Sequence, residues 1–295
     1  MIIVTGTKRS GTSMWMQILI AAGFEPFGEA FPRTWGETIK DANPDGFYES
    51  ILRRGIYWAT NPHPRTGDYF FPEQVENHIV KVFIPGLIKT DRAYIGHVIA
   101  TMRHWREYEA SLDRLFAMED EARQREHPGA VAPPRIPAVL EWWHENFSLV
   151  RDIVTRRHRV HVQSYDGMLR DPERVIHDTI KWLGRGDAAA GFAAVKPGNR
   201  TQVRPETSSV EPEIAEVFDL LYSVVDERKA ITPALIGKLN DTNRILGPRV
   251  AIAQKQVAEE AKRRRRPGEP VYGGAPPIAG EPGEPGDDAS SQPSW

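Results

Sequence analysis

The first fifteen residues, MIIVTGTKRSGTSMW, constrain the fold more than any other stretch of the chain. Ile2-Ile3-Val4 is a short apolar run that reads as a strand. Gly6 to Ser13 is a turn bearing two glycines, and Met14-Trp15-Met16-Gln17-Ile18-Leu19-Ile20 reads as a helix with an apolar face. Strand, glycine turn and helix together aim unpaired backbone N–H groups and the positive end of the helix dipole at an anion. Gly6 and Gly11 let the chain bend tightly and approach a ligand closely. The spacing is close to the ATP-binding loop G-x-x-x-x-G-K-[ST]. Gly6, Gly11 and Ser13 fit that pattern, but Thr12 stands where it has lysine, and the cations lie earlier, at Lys8 and Arg9. In nucleoside triphosphatases the lysine reaches the outer phosphates. Here a guanidinium sits inside the loop, suited to forking onto one anion.

A chain of 295 residues can bury one large core or two small ones. Its formal net charge of −2 gives no global field directing it to nucleic acid or an anionic membrane. It has no cysteine, which excludes disulfides, thiolate catalysis and zinc–thiolate sites. The N-terminus enters a strand directly, without a basic segment and long apolar stretch. No run of about 18 apolar residues is long enough to span a membrane. A soluble cytoplasmic protein is expected, with no nucleic-acid partner and no membrane span.

Strands are predicted over 79–84, 97–102 and 160–164. Helices are predicted over 105–125, 138–157, 211–227 and 232–246, with another ending near 183. Residues 23–31 read as a loop. Strands alternating with helices predict an α/β fold: a three-layer, mostly parallel sheet flanked by helices, P-loop NTPase-like. A domain over 1–248 is expected. Residues 249–295 read as a solvated helix, ending in the Arg263–Arg266 run, and a disordered tail of Pro, Gly and acid.

The opening loop resembles that of the sulfotransferase family. Arg9-Ser10-Gly11-Thr12-Ser13 matches its [KR]-S-G-T-[TS] motif, which binds the 5′-phosphosulfate of 3′-phosphoadenosine 5′-phosphosulfate (PAPS). Arg103, at the end of the 97–102 strand, is followed eight residues later by Ser111, the pair the family uses for the 3′-phosphate. Tyr165-Asp166-Gly167-Met168-Leu169-Arg170-Asp171-Pro172 resembles a Y-[ED]-D-L-x-x-D-P segment whose tyrosine lies near adenine, with Gly167 replacing the second acid.

The resemblance implies transfer of a sulfuryl group from PAPS, as co-substrate, to a hydroxyl or amine of a small-molecule or protein acceptor. No metal is needed, because cations take its place. Lys8, Arg9, Ser10, Gly11, Thr12, Ser13, Arg103, Ser111 and Tyr165 would bind the nucleotide, with Arg200 or Lys196 supplied by a basic C-terminal loop. Arg9 and Lys81 would act on the reacting group. Cytosolic members end the second strand K-T-H-x-P, where the histidine is the base. Here the sequence is Lys81-Val82-Phe83-Ile84-Pro85, and a phenyl ring accepts no proton. The base is therefore assigned to Glu29, with Glu49 as runner-up in Asn43-Pro44-Asp45-Gly46-Phe47-Tyr48-Glu49, a segment similar to the NPxGxxE of bacterial members.

Arg53, Arg54, Trp58, His63 and Tyr69–Phe71 suit an acceptor-binding surface. Two other readings stay open: a kinase or NTPase with a degenerate P-loop, and a sulfotransferase-like module that binds without chemistry, which Phe83 keeps in play. The acceptor and the oligomeric state are not legible.

Overall fold

The computed structural model describes residues 1–30, 46–63, 66–196, 204–206 and 210–264. Its centre is β1 (Ile2–Gly6), followed by α1 (Thr12–Ala21) and β2 (Glu25–Phe27). Then come β3 (His78–Lys81), the short α2 (Ile84–Leu87), β4 (His97–Met102), α3 (Trp105–Glu126), α4 (Ala138–Arg156) and β5 (Val160–Ser164). The chain continues through α5 (Tyr165–Arg170), α6 (Pro172–Leu183), α7 (Ala188–Ala193), α8 (Pro212–Asp226) and α9 (Pro233–Arg264). The five strands form one parallel sheet in the order β2-β3-β1-β4-β5. In register, Ile3 lies between Val80 and Val98.

A parallel sheet must be covered on both faces, which is why β1 is a continuous apolar run. Side chains alternate across it. Ile2 and Val4 face Trp15, Ile18 and Leu19 of α1 and Val175, Ile176 and Ile180 of α6. Ile3 faces the other way, against Ile84 and Leu87 of α2 and Leu149 of α4. The expected three-layer α/β architecture is therefore present. A third cluster lies beyond the sheet edge, where α3, α4, α8 and α9 bury Trp105, Trp142, Trp143, Phe218 and Leu239. The Phe218 ring lies 5.1 Å from Trp142 and 5.2 Å from Trp143, so the tryptophan stripe on α4 is core.

Several boundaries differ from the sequence reading. β2 forms the sheet edge where a loop was expected. It has only three residues and contains Pro26, which an edge strand tolerates. The strand expected over 79–84 stops at Lys81, because Pro85 sits in the first turn of α2, a position proline favours. α9 runs through Pro248 to Arg264 without a break, so the boundary expected at 248 falls inside a helix. Val250, Ala253 and Val257 are buried along one edge of α9, and Arg264 Nη1 donates to the carbonyls of Val131 and Ala132 at 3.1 and 2.9 Å. Residues 265–295 lie outside the described part.

Candidate anion-binding site

The turn after β1 opens at the C-terminal edge of the sheet, where parallel α/β folds present ligand-binding groups. Its glycines are fixed by close contact. A Cβ on Gly6 would collide with Ser10 Oγ and the Thr101 carbonyl. Gly11 has φ +97°, and a Cβ there would lie 2.9 Å from the Tyr165 ring. Ser10 Oγ donates to the Thr7 carbonyl at 2.7 Å, and Thr101 Oγ1 donates to the Ser10 carbonyl at 2.8 Å, tying the turn to β4. Gly11 is the N-cap of α1 and supplies no side-chain cap. The amides of Thr12, Ser13 and Met14, which a helix cannot pair internally, therefore have no cap from that residue.

Arg9 adopts a left-handed backbone, φ +62°, which costs a non-glycine residue about 1 kcal/mol or more. Arg103 and Ser111 help to hold it. Arg103 Nη1 donates to the Arg9 carbonyl at 3.1 Å, and Arg9 Nε donates to Ser111 Oγ at 3.3 Å. Burial, and then like charge on Arg103 and Arg114, press the Arg9 pKa below the usual arginine value, with Tyr165 opposing. A nearby anion relieves this strain.

On one flank, Lys81 at the end of β3 is almost wholly buried. Its Nζ lies 2.7 Å from Glu49 Oε1 and donates to the Phe47 carbonyl at 2.8 Å and to Ser13 Oγ at 3.2 Å. Glu49 Oε2 is buried without a hydrogen-bond partner. Glu49 is held by an antiparallel bridge to Glu29, whose amide donates to the Glu49 carbonyl at 3.1 Å. The Glu29 residue itself is exposed.

On the other flank, Arg103 Nε lies 3.4 Å from Glu107 Oε2, and Arg204 Nε lies 3.6 Å from Glu107 Oε1. Arg204 also meets Asp166 at 2.7 Å. Arg103 stacks 4.9 Å from the centre of the Tyr165 ring, which in turn covers Gly11. The Trp142 indole donates to the Arg103 carbonyl at 2.8 Å, linking this flank to the helical core.

The structure thus gathers Arg9, Ser10, Gly11, Thr12, Ser13, Lys81, Arg103, Ser111 and Tyr165 around one turn. Lys8 points elsewhere, to Glu141 on α4 at 3.6 Å. Near it the buried Glu145 carboxyl is held well above the usual carboxylate range, by desolvation first and the Glu141 charge second. Glu29 contributes its backbone rather than a buried carboxylate. Lys196 is exposed beyond α7, and Arg200 lies outside the described residues. Glu107 and Arg204 were not singled out in the sequence. Glu107 had a signal, since it lies four residues before Ser111 on α3 and four after Arg103, which stands just ahead of that helix. Arg204 had none.

Past Tyr165, a cleft of about 410 Å³ is lined by His104, Arg106, Asp166, Arg204, Asp219 and Tyr222, among others. His104 Nε2 lies 3.1 Å from Asp219, and its Nδ1 accepts from the Arg106 amide at 3.3 Å, the pattern of a neutral imidazole. Burial lowers its pKa to about 4, reinforced by the Arg204 charge. Among the described residues, no group of three or more His, Cys, Asp or Glu is placed to hold a metal ion. Among them, too, no helix is long and apolar enough to cross a membrane.

No protein-family model matches this chain. No curated protein matches it either. Among solved structures it is similar to the sulfotransferase domain of the Synechococcus PCC 7002 olefin synthase. The identity is 15%, over 84% of this chain and 94% of that one, with a TM-score of 0.36. A likeness that low carries no weight for function, which rests on the geometry above.

Proposed function

We propose that this protein transfers a sulfuryl group from PAPS to a hydroxyl or amine of a small-molecule or protein acceptor. The observation that carries the reading is the Arg9–Ser111 contact at 3.3 Å. It joins two motifs a hundred residues apart into one cationic strip, which supports a ligand with phosphates at both ends.

The donor residues suit that ligand. The uncapped amides at the start of α1 and the hydroxyls of Thr12 and Ser13 would serve the 5′ end, on a turn whose glycines pack it closely against β4 and Tyr165. Arg103 and Ser111 would take the 3′-phosphate, with the Tyr165 ring lying between Arg103 and Gly11. Arg200 remains a proposed further contact from the C-terminal loop, and Lys8 a contact that would require it to leave Glu141.

Bound PAPS supplies an activated sulfuryl group. The acceptor's oxygen or nitrogen forms a bond to sulfur while the bond from sulfur to the phosphate oxygen breaks, leaving negative charge on the phosphate. Arg9 and Lys81 stabilise that charge, and the fixed amides need no reorganisation to do so. The acceptor's proton goes to a carboxylate. Support for Glu49 in this role comes from its place beside Lys81 and Ser13 and from its unpaired buried oxygen, which lacks a donor. Glu29 is the alternative base. Thr12 in place of the P-loop lysine weighs against a nucleoside triphosphatase.

The test is turnover of sulfur-labelled PAPS with a panel of hydroxyl and amine acceptors. The wild type is expected to label at least one acceptor, and Arg9→Ala to abolish the transfer. A fully active Arg9→Ala variant, or no transfer by the wild type to any acceptor, would contradict the proposal.

A further inference from the structure

We propose that Arg114 is a further guanidinium of this site and clamps the nucleotide's 3′-phosphate from α3, together with Arg103 and Ser111. The inference rests on the functional reading above and extends it to a residue outside the motifs that led there.

The argument begins with the helix. Glu107, Ser111 and Arg114 follow one another at steps of four and three on α3, so they form one row on one face. Helical side chains lean toward the N-terminus of their helix. Arg114 therefore reaches back over the turn that carries Ser111. Ser111 is buried and touches Arg9, so this row of α3 faces the loop. Arg114 is the first residue of the row to be exposed, placing its head at the rim and not inside the core. The like-charge effect of Arg114 on Arg9 agrees with that placement.

Charge gives the second argument. Among the described residues, these contacts connect three guanidiniums, on Arg9, Arg103 and Arg204, and Arg114 adds a fourth, near enough for its charge to act on Arg9. Facing them are two carboxylates, Glu107 and Asp166. Both carboxylates are shared with Arg204, and Arg114 has no ion-pair partner among the described residues. The surplus of about two positive charges matches a phosphate monoester near neutral pH, which carries roughly −1.5 to −2. A forked guanidinium at the rim suits a terminal phosphate, since it can bind two oxygens at once. It would also tell a nucleotide with a 3′-phosphate from one without.

The experiment measures binding of 3′-phosphoadenosine 5′-phosphate (PAP) and of AMP, which lacks the 3′-phosphate, to the wild type and to Arg114→Gln and Arg114→Lys. Position 114 is exposed, and the melting temperature without nucleotide checks that each variant folds. In Arg114→Gln, PAP affinity should fall about tenfold, the scale of one charge-assisted hydrogen bond, while AMP affinity stays within twofold. Arg114→Lys should recover part of the loss. Equal losses for PAP and AMP, or no loss for PAP, would overturn the assignment of Arg114 alone. A wild type that binds PAP no better than AMP would overturn the 3′-phosphate site as a whole, and with it the functional reading.

Discussion

Two buried cation–carboxylate pairs flank the loop, Lys81–Glu49 at 2.7 Å and Arg103–Glu107 at 3.4 Å. They have similar burial and nearly the same chemistry, yet they are wired differently. Glu107 is spent: one oxygen meets Arg103 and the other meets Arg204, in surroundings rich in guanidinium. Glu49 is half spent, because Lys81 takes one oxygen and the other has no partner. A carboxylate engaged on both sides holds cations in place. One with a buried free oxygen keeps an acceptor position open for a donor that a substrate brings. The difference suggests a division of labour, with group transfer on the Lys81 flank and nucleotide recognition on the Arg103 flank.

The strongest way to break this comparison is at Glu49. Glu49→Gln should lower sulfate transfer at least a hundredfold while PAP affinity changes little, because glutamine keeps the shape and a hydrogen bond but not the basicity. Glu29→Gln should leave turnover within a few-fold. If Glu29→Gln were the inactive variant, the base would move to Glu29 and the comparison would fail.

The next test is at Arg103. Arg103→Ala should weaken PAP binding by roughly tenfold to a hundredfold and AMP binding far less, the scale of a lost charged hydrogen bond. Titration calorimetry reads both. Equal losses would mean that Arg103 acts only by holding the Arg9 carbonyl.

The smallest effect concerns His104, next to Arg103. Its pKa is lowered in the folded protein to about 4, below the ordinary value near 6.5. The unfolded chain therefore binds the proton first. The His104 contribution is intact above pH 6.5 and is lost as the pH falls toward 4, by at most about 3 kcal/mol. Denaturant melts of the wild type should show this loss of stability, and His104→Gln should flatten the slope over that range. An unchanged slope would mean that His104 is protonated in the fold.

Much of this was legible in the sequence because it depended on local pattern. The strand–turn–helix of 1–20 reports a backbone geometry that neighbouring residues determine, and the Arg103/Ser111 pair came from the family resemblance. What was not legible depended on tertiary contact. β2 is three residues long with a proline, and only pairing with β3 makes it a strand. Pro248 reads as a helix stop, yet a proline is tolerated where the buried edge of α9 continues through Val250, Ala253 and Val257. Glu29 and Glu49 were hard to rank because the antiparallel bridge between them is a long-range contact. Lys8 lies in the loop beside the motif, but its partner, Glu141, is on a distant helix.

The central claim, one cationic strip holding a nucleotide phosphorylated at both ends, is tested most directly by thermal stabilisation with PAP, AMP and ATP plus magnesium. At a hundredfold excess over its dissociation constant, PAP should stabilise the protein by about 2.7 kcal/mol, and by more than AMP or ATP with magnesium at the same concentration. Stabilisation by ATP with magnesium that exceeds that of PAP would contradict the account.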